Sequence, residues 1–486
     1  MAAASPDTLP PDVLLAIFSA STPASIRACR QVCRSLRAFI SMNDYLQYLL
    51  ALENCGYGEP FCPRTDISYA QKKQILDDHW DRWYDQASIP DNVVSYHELP
   101  KGKGQVEASA NGTTVWSSEG TTGYMFFQNE SNNRGTGFNQ WSFRTEIQHQ
   151  VSLAVDPDQD LLAVLDRHFT IHLLTATTKE RHPKSPKLPI ALKRFNEFMI
   201  VTTWGDGIEL FGHLLIGVFA VDRQVSLSLL VIWNWTTGQE VTRLIVKTSD
   251  HRVRHQTRIF DFLSDDILVI CRRFDPTEPL AQSLPEDTFG LLDLYKLNPL
   301  ATGSPTIHVA SLALPAGTIE NEKVMGVHFS SSLYTPPSLR PQVWEVSPKS
   351  RLICASTNGT YHGENVCLQA QTLLEYASST NNSIVRWDEW GSQAAWDRWD
   401  GPISEDCYII KTHGGRLIAA KSLWMGEKIE VIFFELECTQ DGRIVPVSRG
   451  MLALGPDTSK QNGGEALSTG PLTQIGINNE SSALPR

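Results

Sequence analysis

The spacing of hydrophobic positions changes near residue 90. Before it, apolar residues recur every three or four positions, the spacing that gives an α-helix one apolar face. From about residue 90 to residue 454, short apolar or alternating runs are bounded by turn residues, which is typical of β-strands. The chain is therefore predicted to be an α+β multidomain protein with N-terminal helices followed by an all-β domain.

Two or three short helices are predicted between residues 9 and 40. Pro10 and Pro11 suit the first positions of a helix, where no amide donor is needed. Leu14, Ile17 and Phe18 then share one face of that helix. This short helix needs a surface that covers its apolar face.

A second helix is predicted to begin at Pro23, with Thr22 as its N-cap. Its apolar stripe consists of Ile26, Cys29, Val32 or Cys33, Leu36 and Ile40. A second stripe beside it consists of Arg27, Arg30, Arg34 and Arg37. A unit of some forty residues cannot bury so much apolar surface alone, so it must cap a larger domain or contact another protein.

This stretch resembles an F-box, the module by which substrate receptors dock on the Skp adaptor of cullin-based SCF ubiquitin ligases. The resemblance lies in Leu-Pro at the start, the helix ending Ile-Phe, the Pro-Ala-Ser-Ile turn and Val-Cys-Arg near the end. It departs at Ser21, where the family usually has leucine, and at Leu36, where tryptophan is common. The resemblance implies an adaptor-binding set of Leu9, Pro10, Ile17, Phe18, Ile26, Val32, Cys33 and Leu36. A helical cap without a partner is the alternative.

Two further helices are predicted before the strands begin. Residues 44–54 have Leu46, Leu49 and Leu50 on one face, with Gly56 as a stop signal. Residues 68–86 carry an aromatic stripe that includes Trp80 and Trp83, with charged residues elsewhere. We expect the helix at residues 68–86 to pack on the following domain as a rigid connector.

A strand pattern repeats within the β region. The runs LLAVL, LLIGV and ILVIC begin at Leu161, Leu214 and Ile267, 53 residues apart each time, and each is followed by another strand. Less regular copies begin at Val115, Val343 and Tyr408. Strand groups at a fixed period without intervening helices indicate a β-propeller, here of six or seven blades, with the possible seventh near residues 306–332. Two β-sandwiches are the alternative.

The repeats resemble WD repeats. The run LLVIWNWTTGQEV is similar to the third strand of such a repeat and the turn after it, although Asn234 stands where the family has aspartate. The predicted divisions are an F-box module over residues 1–50, a connector over 51–90, a propeller over 91–454 and a disordered tail over 455–486.

Composition and charge narrow the classes of partner. The net charge of −12 argues against nucleic acid, and the basic stretches at residues 179–194 and 251–258 are interpreted as solvated loops. No apolar run approaches the roughly eighteen residues of a membrane span, and the first residues lack a signal-peptide pattern. Nine scattered cysteines fit a reducing compartment. The chain is expected in the cytoplasm or nucleus, away from membranes.

No motif in the sequence predicts catalysis, a metal or a cofactor. The run DPDQD at residues 156–160 begins like a calcium loop, but Leu161 and Arg167 stand where glycine and glutamate are required. Cys29 and Cys33 are one helical turn apart without further ligands, so they are interpreted as core residues. A carboxylate pair at the mouth of a propeller, as in hydrolases, stays open.

A tryptophan cluster is the candidate for substrate binding. Trp387, Trp390, Trp396 and Trp399 lie within thirteen residues among acidic groups. Such mixtures are typical of binding hot spots when exposed, although packing between blades is the favoured interpretation. The sequence thus predicts a non-catalytic receptor that binds a Skp-type adaptor and cullin ligase through its F-box, and an unknown protein substrate through its propeller. An interaction scaffold without a ligase role and a propeller hydrolase are the alternatives.

Overall fold

The structure is a computed structural model. It describes residues 9–84, 105–110, 113–118, 124–129, 139–144, 147, 150–192, 207–222, 227–247, 259–273, 284, 288, 290–298, 306–314, 326–329, 341–347, 351–358, 363–379, 383–398, 408–413, 416–425, 428–438 and 444–454. The predicted tail, the basic stretch 251–258 and Trp399 lie outside the described residues, as do the side chains of Trp80, Trp83 and Trp396.

Four short helices open the described chain: α1 (Pro11–Ser19), α2 (Pro23–Val32), α3 (Arg34–Met42) and α4 (Asp44–Asn54). Thr22 caps α2 as predicted, with its hydroxyl accepting from the amide of Ser25 at 3.2 Å. Three helices within residues 11–42 agree with the prediction of two or three, but the apolar stripe assigned to one helix across residues 23–40 is divided, because Cys33 is extended and separates α2 from α3. The Cys33 thiol accepts from the amide of Leu36 at 3.5 Å and so caps α3.

The break at Cys33 lets these helices enclose a small core of their own. Six buried side chains form it: Phe18, Ile26, Leu36, Ile40, Leu46 and Leu50. Asn43 caps α4, and Gly56 follows that helix at a φ of 69°, a conformation that favours glycine. The predicted boundary at residues 50 and 51 falls inside α4, and the domain divisions stay a prediction.

A short strand, β1 (Tyr57–Gly58), and the connector helix α5 (Tyr69–Tyr84) follow.

Six antiparallel sheets come next, which we call blades 1 to 6. Blade 1 consists of β2 (Gln105–Ala110), β3 (Thr113–Ser118), β4 (Tyr124–Asn129) and β5 (Asn139–Arg144). Blade 2 consists of β6 (Gln150–Asp156), β7 (Leu161–Asp166), β8 (Thr170–Thr175) and β9 (Ile190–Ala191). Blade 3 consists of β10 (Gly207–Phe211), β11 (Leu214–Asp222), β12 (Leu227–Asn234) and β13 (Gln239–Lys247).

Blade 4 consists of β14 (Phe260–Phe262), β15 (Ile267–Arg273), β16 (Gly290–Lys296) and β17 (Ile307–Leu314). The elements in the region of blade 5 are β18 (Gly326–Phe329), β19 (Glu345–Val346), β20 (Leu352–Asn358), β21 (Gly363–Gln369), α6 (Ala370–Ser379), β22 (Ser383–Val385), α7 (Trp387–Trp390) and β23 (Ala394–Arg398). Blade 6 consists of β24 (Tyr408–His413), β25 (Arg416–Met425), β26 (Lys428–Cys438) and β27 (Ile444–Leu454). Blade 5 itself has the strand order β18, β20, β21 and β23.

The sheets pack face to face in chain order, and the first strands β2, β6 and β10 lie side by side. One core joins blades 2 and 3, a second joins blades 3 and 4, and a third joins blades 4 and 5. Alternate residues of one strand enter different cores: in β12, Val231 packs towards blade 2 and Ile232 towards blade 4. This is a propeller-like arrangement, in which the central strands are apolar on both faces.

The predicted repeat is confirmed. Leu161, Leu214 and Ile267 each begin the second strand of their blade. Each also pairs with the last residue of the third strand: Thr175, Asn234 and Lys296, respectively. The 53-residue spacing therefore marks equivalent positions in three successive blades.

Two details of the predicted repeat are wrong. The described residues 306–314 and 326–329 do not form the possible seventh blade, because β17 is the fourth strand of blade 4 and β18 the first strand of blade 5. The described residues thus form six blades. The copy starting at Val343 is also misassigned, because β19 pairs with β1 rather than with β20.

The insertion between β21 and β23 ties blade 5 to blade 4. After α6, β22 pairs in parallel with the outer strand β17, with Leu312 opposite Val385. Trp390 is fully buried, and its indole nitrogen donates to the carbonyl of Ala313 in β17 at 3.0 Å. Blade 4 therefore has a fifth strand that blade 5 supplies.

Two observations concern the expected cellular environment. Cys354 and Cys367 face each other on β20 and β21 and are joined by a disulfide, so the expectation of reduced cysteines is wrong at this pair. Cys29 and Cys33 are free and half-buried beside the helical core. No helix in the described part of the chain is long and apolar enough to cross a membrane.

A buried ion pair provides a test of the contact between blades 4 and 5. Arg351 donates to the carboxylate of Asp261 at 2.7 Å, and both side chains are almost fully buried. Arg351→Ala removes this buried ion pair, so we expect it to lower the free energy of unfolding by about 3–5 kcal/mol in urea denaturation. Arg243→Ala, which breaks the more exposed pair with Glu240, is the control and is expected to cost about 1 kcal/mol or less. Equal losses for the two variants would contradict the assignment.

Candidate adaptor-docking and substrate-binding sites

Helix α1 has apolar side chains on two adjoining sides. Phe18 lies in the helical core, and Leu14 packs against it from the same side. Pro10, Val13 and Ile17 follow one another at spacings of three and four and are exposed on the other side. Val13 keeps 39% and Ile17 48% of its surface in contact with solvent. A nine-residue helix with two apolar sides has only one of them covered by its own chain.

The eight residues of the predicted adaptor-binding set divide into three groups. Phe18, Ile26 and Leu36 are interior and hold the helices together. Leu9 and Cys33 are half-buried. The remaining three are exposed: Pro10, Ile17 and Val32, of which Val32 is the most open at 70%. The interior three have no surface to offer in this conformation, whereas the exposed three do; binding of the adaptor by the set stays a prediction.

Two exposed apolar residues were missed by the sequence analysis. Val13 lies between Pro10 and Ile17 at helical spacing, which is the signal that would have identified it. Met42, at the end of α3, is 83% exposed. Val13 therefore adds to the exposed apolar side of α1 beyond the predicted set, and Met42 is a separate exposed apolar residue of the helical module.

The arginine stripe divides between internal and outward roles. Arg27 pairs with Glu53 and donates to Asn54 in α4, so it stabilises the helical unit. Arg30, Arg34 and Arg37 are exposed, and among the described residues none of them has a carboxylate partner. Arg30 and Arg34 are each two residues from Val32 in sequence, and the Arg37 guanidinium donates to the carbonyl of Arg30 at 3.2 Å, so positive charge lies close to the break between α2 and α3.

The segment between α4 and α5 is fixed to blade 5, in a contact that we call the junction. Tyr57 and Gly58 pair with Val346 and Glu345. Further along, the amide of Arg64 donates to the carbonyl of Gln342 at 2.9 Å, and the amide of Gln342 donates to that of Cys62 at 2.9 Å. The helical module is therefore joined to the propeller by backbone hydrogen bonds as well as by the chain itself.

Apolar contacts surround these hydrogen bonds. Tyr57 is buried with its ring centroid 5.7 Å from that of Trp344. Leu76 of α5 and Tyr48 of α4 enter the same cluster, and the Tyr48 hydroxyl donates to the carbonyl of Val343. Burial raises the pKa of Tyr48 and, with the nearby Glu59 carboxylate, raises that of Tyr45 to about 12, so both phenols are neutral donors at physiological pH.

The junction lies on one particular face of the propeller. The edges of blades 2 to 5 at which the first strands end and the second strands begin adjoin one another. Gln159 donates to the carbonyl of Gly212 at 2.6 Å, Phe211 stacks on Phe262 at 3.9 Å, and Arg351, directly before the second strand of blade 5, binds Asp261. Residues 342–347 belong to the connection between β18 and β20 and reach Arg351 through the Ser347 carbonyl. We call this the junction face.

The tryptophan cluster is largely structural where it is described. Trp390 is interior, which removes it from the candidate substrate-binding set. Trp387 is half-buried and packs edge-on against Trp390 with centroids 4.6 Å apart. Trp396 belongs to β23 and pairs with Val366, so its backbone completes blade 5. The favoured interpretation of packing between blades is confirmed for Trp390.

Serine, histidine and aspartate, residue types used in catalysis, lie close together in blade 4 but are not arranged for catalysis. The hydroxyl of Ser311 is 3.0 Å from the ring of His308 and donates to Asp293 at 2.6 Å. Ser311 is fully buried, and Arg272 occupies the second oxygen of Asp293, so the group is an internal hydrogen-bond network. The DPDQD run forms a strand-connecting turn in which Asp156 accepts from the amides of Asp158 and Gln159. The described residues contain no cluster suited to a metal ion.

The N-terminal helical module matches a known protein family. Residues 6–47 match the F-box-like family, a stretch that ends within α4. No curated protein matches the chain. Among solved structures, the chain is similar to U3-55K (10% identity, 70% of this chain and 78% of that chain, TM-score 0.34). It is also similar to Kluyveromyces lactis Hsv2 (9%, 71% and 99%, 0.31) and to the WD40 β-propeller domain of Doa1 (9%, 72% and 86%, 0.32). TM-scores this low carry no argument about the fold, so the propeller-like architecture is inferred from the strand pairing of this chain.

Tyr57 provides a test of the junction. Tyr57→Ala removes a buried ring from the cluster, a loss of about 3–5 kcal/mol for large aromatic side chains. We expect limited proteolysis within residues 55–66 to become faster, because the segment opens locally. Phe61→Ala is the control, since Phe61 lies in the same segment but is 70% exposed. Unchanged cleavage in Tyr57→Ala would show that the segment is held by other contacts.

Proposed function

We propose that this chain is a substrate receptor of an SCF ubiquitin ligase. Its F-box would dock on a Skp-type adaptor of the cullin complex, and its propeller would hold a protein substrate for ubiquitination. The observation that carries the proposal is the uncovered side of α1, in a module whose sequence matches the F-box-like family.

The energetics of the module support a partner at this position. Pro10, Val13, Ile17 and Val32 remain exposed although the module has already formed a core. Complete burial of a fully exposed side chain of this size is worth about 1.5–3 kcal/mol, so covering the exposed parts of several such side chains together contributes to a stable interface. The exposed arginines beside Val32 would favour an adaptor surface of negative charge.

The junction supports the role of a receptor rather than that of a loose tether. A ligase receptor acts by raising the local concentration of its substrate near the enzyme that carries ubiquitin. Orientation is preserved only when the docking module and the substrate-binding domain move together. The strand pairing of β1 with β19 and the buried cluster around Tyr57 provide that coupling. The chain itself is non-catalytic in this proposal, and its place of action is the cytoplasm or nucleus.

Two charged substitutions test adaptor docking. Val13→Asp with Ile17→Asp places two carboxylates on the uncovered side of α1, where binding would strip them of water at a cost of several kcal/mol. We expect co-purification of the full-length chain with a Skp-type adaptor to be lost. Ile307→Asp is the matched control, because Ile307 is 60% exposed but lies on blade 4. It is expected to leave co-purification unchanged.

The folded state of the variants is checked separately. Val13 and Ile17 are 39% and 48% exposed and neither belongs to the helical core, so the thermal unfolding midpoint should fall by no more than about 4 °C. Adaptor binding that survives in a folded Val13→Asp/Ile17→Asp variant would contradict docking through α1. Failure of the unsubstituted chain to bind any Skp-type adaptor would favour a propeller scaffold without a ligase role.

A further inference from the structure

A loop of blade 2 concentrates positive charge in a protein whose net charge is −12. Residues 177–189 connect β8 to β9 and contain four cations and one carboxylate. The cations are Lys179, Arg181, Lys184 and Lys187, all exposed. We call this segment the basic loop. The sequence alone favours a solvated loop here, whereas the structure shows how the segment is built.

The basic loop has an internal anchor. His182 is buried, with Nε2 donating to the carbonyl of Gln159 at 3.1 Å and Nδ1 accepting from the amide of Lys184 at 3.2 Å. Its ring meets Trp235 of blade 3 edge-on, with centroids 5.0 Å apart. A solvated connection has no need of a buried imidazole with both nitrogens bonded. The backbone that carries the cations is therefore held in place against two blades.

A second contact fixes the far part of the basic loop. Gly238, at a φ of 70°, lies under Pro186, and a side-chain carbon at position 238 would come within 3.0 Å of that ring. The hydroxyl of Ser185 closes a turn by donating to the carbonyl of His182 at 2.7 Å. Prolines at 183, 186 and 189 restrict the backbone further. A ligand would thus meet charges whose positions are already ordered, at little cost in conformational entropy.

The outward side chains of the basic loop remain available. Among the described residues, none of Arg181, Lys184 and Lys187 is paired with a carboxylate. Leu188 is 78% exposed beside Lys187. Ordered cations next to an open leucine favour an anionic partner that also carries apolar side chains.

The basic loop lies on the junction face. It connects a third strand to a fourth, and in an antiparallel blade this connection emerges at the same end as the turn between the first and second strands. The contact of Thr177 with Asp160, amide to carboxylate at 2.9 Å, shows the two turns of blade 2 meeting. A segment bound by the basic loop is therefore on the side of the propeller that carries the F-box module.

We propose that the basic loop binds a carboxylate-rich, acidic polypeptide segment, with Lys184, Lys187 and Leu188 as its outward contacts. A polypeptide fits better than nucleic acid, because the negative charge of the rest of the chain opposes a long polyanion and because Leu188 has no role in phosphate binding. The role of the basic loop in recruiting a substrate rests on the proposed receptor function. Its binding of an acidic polypeptide does not depend on that function.

Fluorescence anisotropy with full-length protein tests the basic loop. The probe is a labelled peptide of alternating glutamate and leucine, and the same peptide with glutamine in place of glutamate is its control. We expect Lys184→Gln/Lys187→Gln to weaken binding of the acidic peptide by about three- to tenfold, since two surface ion pairs are lost. Lys184→Arg/Lys187→Arg keeps the charge and should stay within about twofold. Lys73→Gln/Lys296→Gln removes the same charge elsewhere and should have no effect.

Each outcome bears on the proposal. Preference for the acidic over the glutamine peptide, lost only in Lys184→Gln/Lys187→Gln, supports it. Equal affinity in that variant and in the unsubstituted chain would overturn it, as would tighter binding of a DNA duplex with the same lysine dependence. Adaptor co-purification, measured on the same samples, separates the two proposals: peptide binding without adaptor binding supports the basic loop and contradicts the receptor role.

Discussion

Two-sided burial of each central strand is the constraint on which the rest of this structure depends. In β11 and β12 nearly every residue is apolar, because successive side chains enter the cores on opposite faces of blade 3. A blade of this kind has no solvated face and cannot be stable alone. Blades 3 and 4 are therefore each stabilised by two neighbours, and contacts that join blades contribute to the stability of every blade that they connect.

The contacts that bury the strands differ from one pair of blades to the next, and those between blades 4 and 5 are the most varied. Blades 2 and 3 meet through apolar side chains and through the turn contact of Gln159 with Gly212. Between blades 4 and 5, a buried ion pair, a borrowed parallel strand and the Trp390 hydrogen bond are added. Blade 5 is also the blade that receives the helical module. The reinforcement thus lies where the propeller carries an attached domain.

The sequence predicted features that depend on local pattern. The equivalence of Leu161, Leu214 and Ile267 could be found because the two-sided burial of second strands leaves a continuous apolar run at a fixed spacing. The pairing of β1 with β19 could not, because a strand of two residues has no periodicity and its partner lies almost three hundred residues away. The break between α2 and α3 was missed because apolar spacing continues through Cys33, which is extended.

Local sequence pattern also could not decide which residues of the candidate sites are exposed. A helix with apolar residues on two sides gives no signal as to which side is covered, so Phe18 and Ile17 were placed in one set although the first is interior and the second exposed. Tryptophan clusters have a similar ambiguity, since Trp390 is suited both to a hot spot and to a core. In both cases burial is decided by distant parts of the chain, such as α4 for Phe18 and β17 for Trp390.

The position of the junction has a consequence for how the two parts of the chain work together. Residues 342–347 lie within the connection between β18 and β20, so they belong to blade 5 rather than to a linker. Displacing the helical module therefore means breaking the β1–β19 pairing and exposing Tyr57 and Leu76, both of which are buried. A flexible link would allow the same proximity but would spread it over many orientations. Because this contact restricts orientation as well as distance, a molecule bound on the junction face is held on the side of the propeller from which the F-box extends.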